Sequence, residues 1–371
     1  MLSRLKFEID SLVNEILDQL PQEVWTSSTT TFLDPAMGGG QFVRAIEQRL
    51  RSAGHSDMNI SGRVYACENS KLSVQYAKNK YNLVATLGVG DFLEKDFGNM
   101  KFDVVVGNPP FQGSNGGGSI LWADFANKAC MLTSNKGYVA MITPNKWCGH
   151  TENVRAEKIQ LYRDRFKNKL THINVQECSR HFDKIGAYPD SFSYFVLSNA
   201  GSKQFTVQTL KDKNVVVGAI DFDFLPVQDF SKTTANILKK TTTVKKWDFK
   251  TTNIDKKHSN DHTLNIPTAR FLHYKNRPVY LDFNSSVKPI SKTQKTATAY
   301  IKATQQSVDS VFKSKLFEFW MYVFWNNDTL MCKFYNNLPY LDPEKVWTDD
   351  DIYAHFKLTQ DEIDFLENII K

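Results

Sequence analysis

Thr31-Phe-Leu-Asp34-Pro-Ala-Met-Gly38-Gly-Gly40-Gln-Phe42 opens as a short apolar run, turns through three consecutive glycines and continues into sequence of helical length. Glycine at 38, 39 and 40 lets the backbone turn sharply and approach a ligand that any Cβ would hold off. At the carboxyl end of the first strand of a parallel sheet, a turn of this kind is where an α/β fold takes an adenosine-containing cofactor. The stretch is neither G-x-G-x-x-G nor a phosphate-binding loop, since no Lys-Ser/Thr follows the glycines. Read by itself, it remains open to being a plain structural turn.

The surrounding chain repeats the same rhythm. Leu5, Ile9, Leu12, Val13, Ile16, Leu17 and Leu20 recur at helical spacing until Pro21 stops them. Apolar runs at 31–33, 63–67, 84–87, 102–106, 137–142, 172–175 and 193–197 then alternate with helix-length stretches, notably 41–52, 70–80 and 121–133. Strand–helix alternation predicts a doubly wound, Rossmann-like α/β fold with a mainly parallel sheet covered on both faces. The rhythm fades after Asn199, which divides the chain into residues 1–199 and a second module, 200–371. From 200 to about 315 the chain is rich in Lys, Thr, Ser and Asn with isolated aromatics such as Phe205, Trp247 and Tyr274, and reads as irregular and β structure. A helix is expected near 314–325, and Thr359-Gln-Asp-Glu362 forms a capping box for a last one.

Composition narrows the classes. The 371 residues supply ample core, and 41% hydrophobic against 23% charged residues suits a soluble globular chain. No apolar run approaches the roughly 20 residues of a membrane span. Arg4, Lys6, Glu8 and Asp10 are unlike a secretory signal. Five cysteines, scattered and never C-x-x-C, argue against a disulfide framework or structural zinc and for a reducing, cytoplasmic setting. The net charge of +6 is uneven: residues 201–316 hold 20 Lys+Arg against 9 Asp and no Glu, or +11, which leaves 6 − 11 = −5 for the rest. Such asymmetry points to a polyanionic partner for one segment, with a solvated lysine-rich face as the alternative.

Two acids stand where further strands end. Glu68 closes 64–68, where a carboxylate can accept both hydroxyls of a ribose, and Asp91-Phe92 follows the third strand, offering an acceptor for an adenine amine beside an apolar face. Most specific is Asn108-Pro-Pro-Phe111, directly after 102–107. Proline fixes φ, removes its own N–H and drives the preceding residue to extended geometry. The result is a stiff turn that displays acceptors only, the Asn108 carboxamide oxygen and the Pro109 carbonyl, beside the flat ring of Phe111. That arrangement suits a planar ring bearing an NH2 group.

At these residues the chain resembles the amino-methyltransferase family. Its cofactor motif D-P-x-x-G-x-G-x-F is met by Asp34, Pro35, Gly38, Gly40 and Phe42, with Ala36 inside it, and its catalytic motif N-P-P-Y/F by Asn108, Pro109, Pro110 and Phe111. The resemblance, specific over roughly 20–200, implies a class I methyltransferase fold and S-adenosylmethionine as cofactor. Asn at the first catalytic position implies methylation of adenine N6 or of a glutamine amide. The order of cofactor motif, catalytic motif and C-terminal recognition region is similar to gamma-type, Eco57I-like DNA adenine methyltransferases. It implies a double-stranded DNA substrate, a target-recognition role for 200–371 and a possible cognate restriction endonuclease. It leaves the oligomeric state open. One departure is that gamma enzymes usually open with a T-P motif, whereas Leu20-Pro-Gln-Glu-Val-Trp25 stands here.

Lys245, Lys246, Lys256, Lys257, Arg270 and Arg277 are the candidates for DNA contact, and the Gly-rich stretch 112–118 is expected to order on nucleic acid. His258 and His262 lie in Lys/Asn/Ser-rich sequence without helical character and are set aside as metal ligands, so no metal is expected. Asp190 with Asp255 and Lys257 is too loosely spaced for a nuclease centre. Three alternatives share parts of the pattern. An RNA adenine methyltransferase would use the same acceptors. A protein-glutamine methyltransferase would need no large basic region, and a silent nucleic-acid-binding protein would not need the two intact motifs.

Overall fold

The computed structural model describes residues 2–111, 121–144, 147–148, 166, 168–175, 192–208, 215–218, 230–247, 250–252, 263–267, 273–274, 277–278, 296–300, 303–324 and 332–370; side chains are described for fewer of these. The chain divides into two compact units, 1–145 with 157–219, and 146–156 with 220–371.

The first unit is built on nine strands: β1 (Phe32–Asp34), β2 (Val64–Glu68), β3 (Thr86–Val89), β4 (Phe102–Gly107), β5 (Thr133–Pro144), β6 (Leu170–Asn174), β7 (Phe192–Ser198), β8 (Gln204–Gln208) and β9 (Val215–Gly218). Their order is β3-β2-β1-β4-β5-β7-β6-β8-β9. Strands β3 to β5 are parallel neighbours, as the alternation predicts, whereas β7 runs antiparallel to both β5 and β6. Apolar patterning sets which segments are strands but carries no sign of their direction, so this reversal has no signature in the sequence.

Helices α1 (Leu2–Leu17), α3 (Gln41–Ser52) and α5 (Lys71–Tyr81) cover one face; the short α2 (Glu23–Thr26) and α4 (Asp57–Ser61) join them, and α6 (Leu121–Leu132) packs on β4 and β5. Along β2 and β4, Val64, Ala66, Val104 and Val106 share a core with Ile16, Val43, Ile46 and Leu50, as the period of two in a strand requires. Glu47 sits fully buried among them. It accepts the Val84 and Ala85 N–H groups at 2.8 Å each and pairs with Arg51 at 3.0 Å, which fixes the approach of the chain to β3. Ser70 caps α5 by accepting the Ser73 N–H, an arrangement typically worth about 1 kcal/mol.

Register aligns the strand ends. Asp34 pairs with Ala66, Phe32 with Val104 and Glu68 with Val89, so the carboxyl ends of β1 to β4 lie along one edge. Because β7 is reversed and Phe192 pairs with Pro144, the start of β7 lies on that same edge.

The second unit has its own core, in which Ile237, Leu238, Trp247, Phe312, Phe317 and Trp320 are buried together. Its helices are Lys232–Thr241, Gln305–Phe312, Lys315–Phe324, Cys332–Asn337, Asp349–His355 and Gln360–Ile369. The expected capping box at Thr359 and Glu362 is formed, and Thr304 with Ser307 and Thr348 with Asp351 form two more. Strands Lys250–Thr252, Thr296–Tyr300 and Thr263–Pro267 make a small antiparallel sheet, and His273–Tyr274 pairs with Arg277–Pro278. Among the described residues, the expected β structure between 200 and 315 is formed by these strands and by 204–208 and 215–218, and the helices Lys232–Thr241 and Gln305–Phe312 depart from it. Residues 204–208 and 215–218 belong to the first unit's sheet, which carries that unit past Asn199 to 219. Residues 232–241 are a helix whose apolar stripe, Ile237 and Leu238, is too narrow to stand out among three threonines and three lysines.

Candidate active site

The site is built at the carboxyl edge of β1 to β4. After Asp34 the chain turns over the edge, with φ at +50° for Gly38 and +82° for Gly40, the left-handed values that glycine adopts without penalty. Gly40 caps α3, and a Cβ there would stand 2.9 Å from the Ala77 Cβ, so glycine also allows α5 to pack against the turn. The Met37 N–H donates to the Cys67 carbonyl at 3.0 Å and ties the turn to β2.

Glu68 brackets this turn. Its Oε2 accepts the Gly38 N–H at 3.0 Å and its Oε1 accepts the Ser70 N–H at 2.9 Å. Each oxygen keeps a second lone pair, and the carboxylate is half-buried, so it can still accept from a ligand's hydroxyls. Asp34 is buried, at 1% exposure, and its Oδ1 accepts the Ala36 N–H at 3.0 Å. Burial pushes its carboxyl up to about 7, opposed by the Ala36 hydrogen bond and assisted by repulsion from Glu68. Asp91 follows β3, and its Oδ1 accepts the Leu93 N–H at 2.8 Å.

The two motifs meet at Gly107. A Cβ on this last residue of β4 would lie 2.9 Å from Asp34 Oδ1 and 3.1 Å from Pro35 Cδ. Glycine at 107 therefore lets β4 deliver Asn108 directly beside the Asp34–Gly40 turn. Asn108 is solvent-exposed, and among the described residues its carboxamide has no hydrogen-bond partner; Pro109 is buried and Pro110 exposed. The half-buried Phe111 ring stacks on Phe192 with centroids 5.1 Å apart and planes 29° apart.

The structure thus brings together Asp34, Pro35, Ala36, Gly38, Gly40, Glu68 and Asp91 with Asn108 to Phe111. Two expected residues take a different place. Phe92 is 1% exposed and packs against Phe97, Phe125 and Lys128, so its ring presents no open face. Phe42 belongs to the core beneath the turn. Large rings placed just past a strand end are buried when apolar residues of the helices surround them. Of the basic candidates, Lys245 and Lys246 are exposed, Arg277 lies in a described strand whose side chains are not described, and Lys256, Lys257 and Arg270 lie outside the described residues, as do 112–118, Asp190, Asp255, His258 and His262. No group of three or more His, Cys, Asp or Glu able to hold a metal occurs among the described residues. No described helix is long and apolar enough to cross a membrane.

Phe192 and Gly107 were not foreseeable as site residues. Phe192 reaches the site only through the reversed direction of β7, and Gly107 reads in the sequence as an unremarkable strand end. A cavity of about 590 Å³ opens at the other edge of the sheet, among Lys101, Thr133, Lys169 and Asn199, and contains none of the motif residues.

The chain is 34% identical over 120 residues to an uncharacterized adenine-specific methylase of Mycoplasma pneumoniae, which covers 29% of this chain and 26% of that one. The match thus spans about a quarter of the relative's length. Among solved structures it is similar to a putative class I S-adenosylmethionine-dependent methyltransferase from Listeria monocytogenes, with a TM-score of 0.42, 18% identity and coverage of 55% of this chain and 65% of that one. It is also similar to a modification subunit of a putative type I restriction enzyme from Vibrio vulnificus, with a TM-score of 0.40, 14% identity and coverage of 52% and 46%. Residues 46–178, the stretch that carries Glu68, Asp91 and the Asn108–Phe111 turn, are similar to the Eco57I restriction-modification methylase family.

Proposed function

We propose that this protein transfers a methyl group from S-adenosylmethionine to the N6 amine of adenine in a specific duplex DNA sequence, as the modification partner of a restriction endonuclease. The observation that carries this reading is the exposed Asn108 carboxamide, without a hydrogen-bond partner among the described residues, set beside the Asp34–Gly40 turn by the missing Cβ of Gly107. The residues fit the cofactor: Glu68 keeps free lone pairs for ribose hydroxyls, Asp91 stands at the next strand end, and the exposed Gly38 leaves backbone open to a ligand. When bound, S-adenosylmethionine supplies an electrophilic methyl on a sulfonium, and transfer leaves a neutral thioether.

The adenine amine is a poor nucleophile because its lone pair is delocalised into the ring. The Asn108 Oδ1 and Pro109 carbonyl would each accept one of its N–H groups, draw the nitrogen toward tetrahedral geometry and localise that lone pair. Aligned acceptors of this kind can lower a barrier by several kcal/mol. No base is needed beforehand, since the amine loses its proton after the new C–N bond has formed.

Reaching N6 in a duplex requires the base to leave the stack at a cost of a few kcal/mol. Stacking on Phe111 would return about 1–3 kcal/mol. Phe111 and Phe192 are too close to admit a base between them, so an entering adenine either parts the two rings or takes the outer face of Phe111.

The test is transfer of labelled methyl from S-adenosylmethionine to unmethylated duplex DNA, RNA or cell protein offered separately. Label in DNA supports the reading; label confined to RNA or protein overturns the substrate; label in none of them overturns the activity.

A further inference from the structure

Helix Lys232–Thr241 ends in Lys239 and Lys240, and the chain then turns through Thr242-Thr-Val244-Lys-Lys246 before Trp247 enters the core of the second unit. Both ends of this turn are fastened. On the helix side, Thr242 Oγ1 donates to the Leu238 carbonyl at 2.8 Å, and the Thr241 hydroxyl accepts the buried Trp320 Nε1–H at 2.8 Å. On the far side, Trp247 Nε1 donates to the Pro339 carbonyl at 3.0 Å, and the Thr243 hydroxyl accepts the Tyr340 N–H at 3.0 Å. Within the turn, Thr243 Oγ1 donates to the Lys245 carbonyl at 2.8 Å.

What this rigid turn displays is unusual. Val244 is 102% exposed, the most exposed large apolar side chain among the described residues. Beside it, the Lys245 ammonium rests 4.0 Å from the centre of the Tyr340 ring, and Lys246 is exposed as well. The turn also lies within the basic part of its unit: residues 317–371 hold 4 Lys against 11 Asp+Glu, so the positive charge is concentrated before them. An aliphatic group held in water beside cations, on a backbone fastened at both ends, fits a surface that alternates anions with apolar edges. Duplex DNA is such a surface, with phosphates flanking sugars and base edges.

We propose that the turn 242–247 is a preformed DNA contact, with Val244 packing against sugar or base edges and Lys245 meeting a phosphate. This rests on the reading of duplex DNA as substrate. Because the Val244 side chain is fully exposed, its replacement is expected to leave folding intact. The experiment measures binding of the full-length protein to its methylatable duplex, across a series of salt concentrations, for the parent, Val244→Ser, Val244→Glu and Lys245→Gln. Val244→Ser is expected to weaken binding about fivefold at every salt concentration, through lost apolar contact. Lys245→Gln is expected to make the log–log salt slope shallower by about 0.9, the contribution of one phosphate contact. Val244→Glu is expected to weaken binding more than Val244→Ser does.

A parent that binds DNA together with Val244 variants that bind it equally well would overturn this proposal and leave the methyltransferase reading standing. A parent that binds no DNA overturns both. Variants that bind DNA like the parent but lose attachment to phosphatidylserine vesicles would assign the turn to lipid and likewise overturn the proposal.

Discussion

The carboxyl edge of β1 to β4 and the basic turn of the second unit carry their chemistry in opposite ways. At the edge, the proposed function falls on two short motifs whose geometry follows from local rules: glycine permits the left-handed turn, proline stiffens the acceptor turn, and the parallel register sets their ends side by side. In the second unit the charge is spread over many lysines, and what distinguishes one from another is where tertiary contacts hold the backbone. A local motif can therefore be read from sequence, whereas a recognition surface needs the fold.

The comparison breaks most readily at Asn108. Asn108→Ala is expected to lower methyl transfer about 10²–10³-fold, the usual cost of removing one preorganised polar contact to the reacting group. Cofactor affinity, measured by calorimetry, should stay within about twofold; a comparable loss of binding would move Asn108 from the reacting amine to the cofactor. Next in size is Glu68→Ala, expected to weaken S-adenosylmethionine binding about 10–100-fold, because hydrogen bonds to a charged acceptor are worth roughly 1.5–3 kcal/mol each. Unchanged affinity by equilibrium dialysis would remove Glu68 from the site.

Two buried groups sharpen the picture further because they pull stability in opposite directions over one pH window. Asp34 has its carboxyl raised from 3.8 to about 7 in the folded chain, so the folded state binds the proton more tightly and loses stability as pH climbs from about 4 to 7. Asp34→Asn should remove that loss, on the order of 4 kcal/mol at pH 8, with little effect at pH 4. His172 behaves oppositely. It is buried, stacked on Tyr194 and hydrogen-bonded to Thr206 at 2.6 Å, and burial lowers it from 6.5 to about 4. Its contribution is complete above 6.5 and is lost as pH falls toward 4, about 3 kcal/mol in all. His172→Gln should flatten that acid-side decline in urea titrations at pH 4, 5, 6 and 7. Parallel titration curves for the parent and either variant would remove that group from the linkage.

Much of the first unit was legible in the sequence because strand and helix periods are local: α3 begins at Gln41 and ends at Ser52, as the apolar spacing requires. Asp34, Glu68 and Asn108 were legible for the same reason. Direction and rotation were not. The reversal of β7, which brings Phe192 to Phe111, is decided by pairing across the sheet. The inward turn of Phe92 is decided by Phe97 and Phe125. Helix Lys232–Thr241 was hidden because its stability comes from burying Ile237 and Leu238 in a core assembled from distant helices, and its threonines contribute little propensity of their own.

The most direct test of the central claim is nucleoside analysis of duplex DNA after incubation with the protein and S-adenosylmethionine, with Asn108→Ala in parallel. The account predicts N6-methyl-2′-deoxyadenosine as the methylated product of the parent and its near absence with the variant. Methyl on the cytosine amine or on a ring carbon, or a variant as active as the parent, would contradict it.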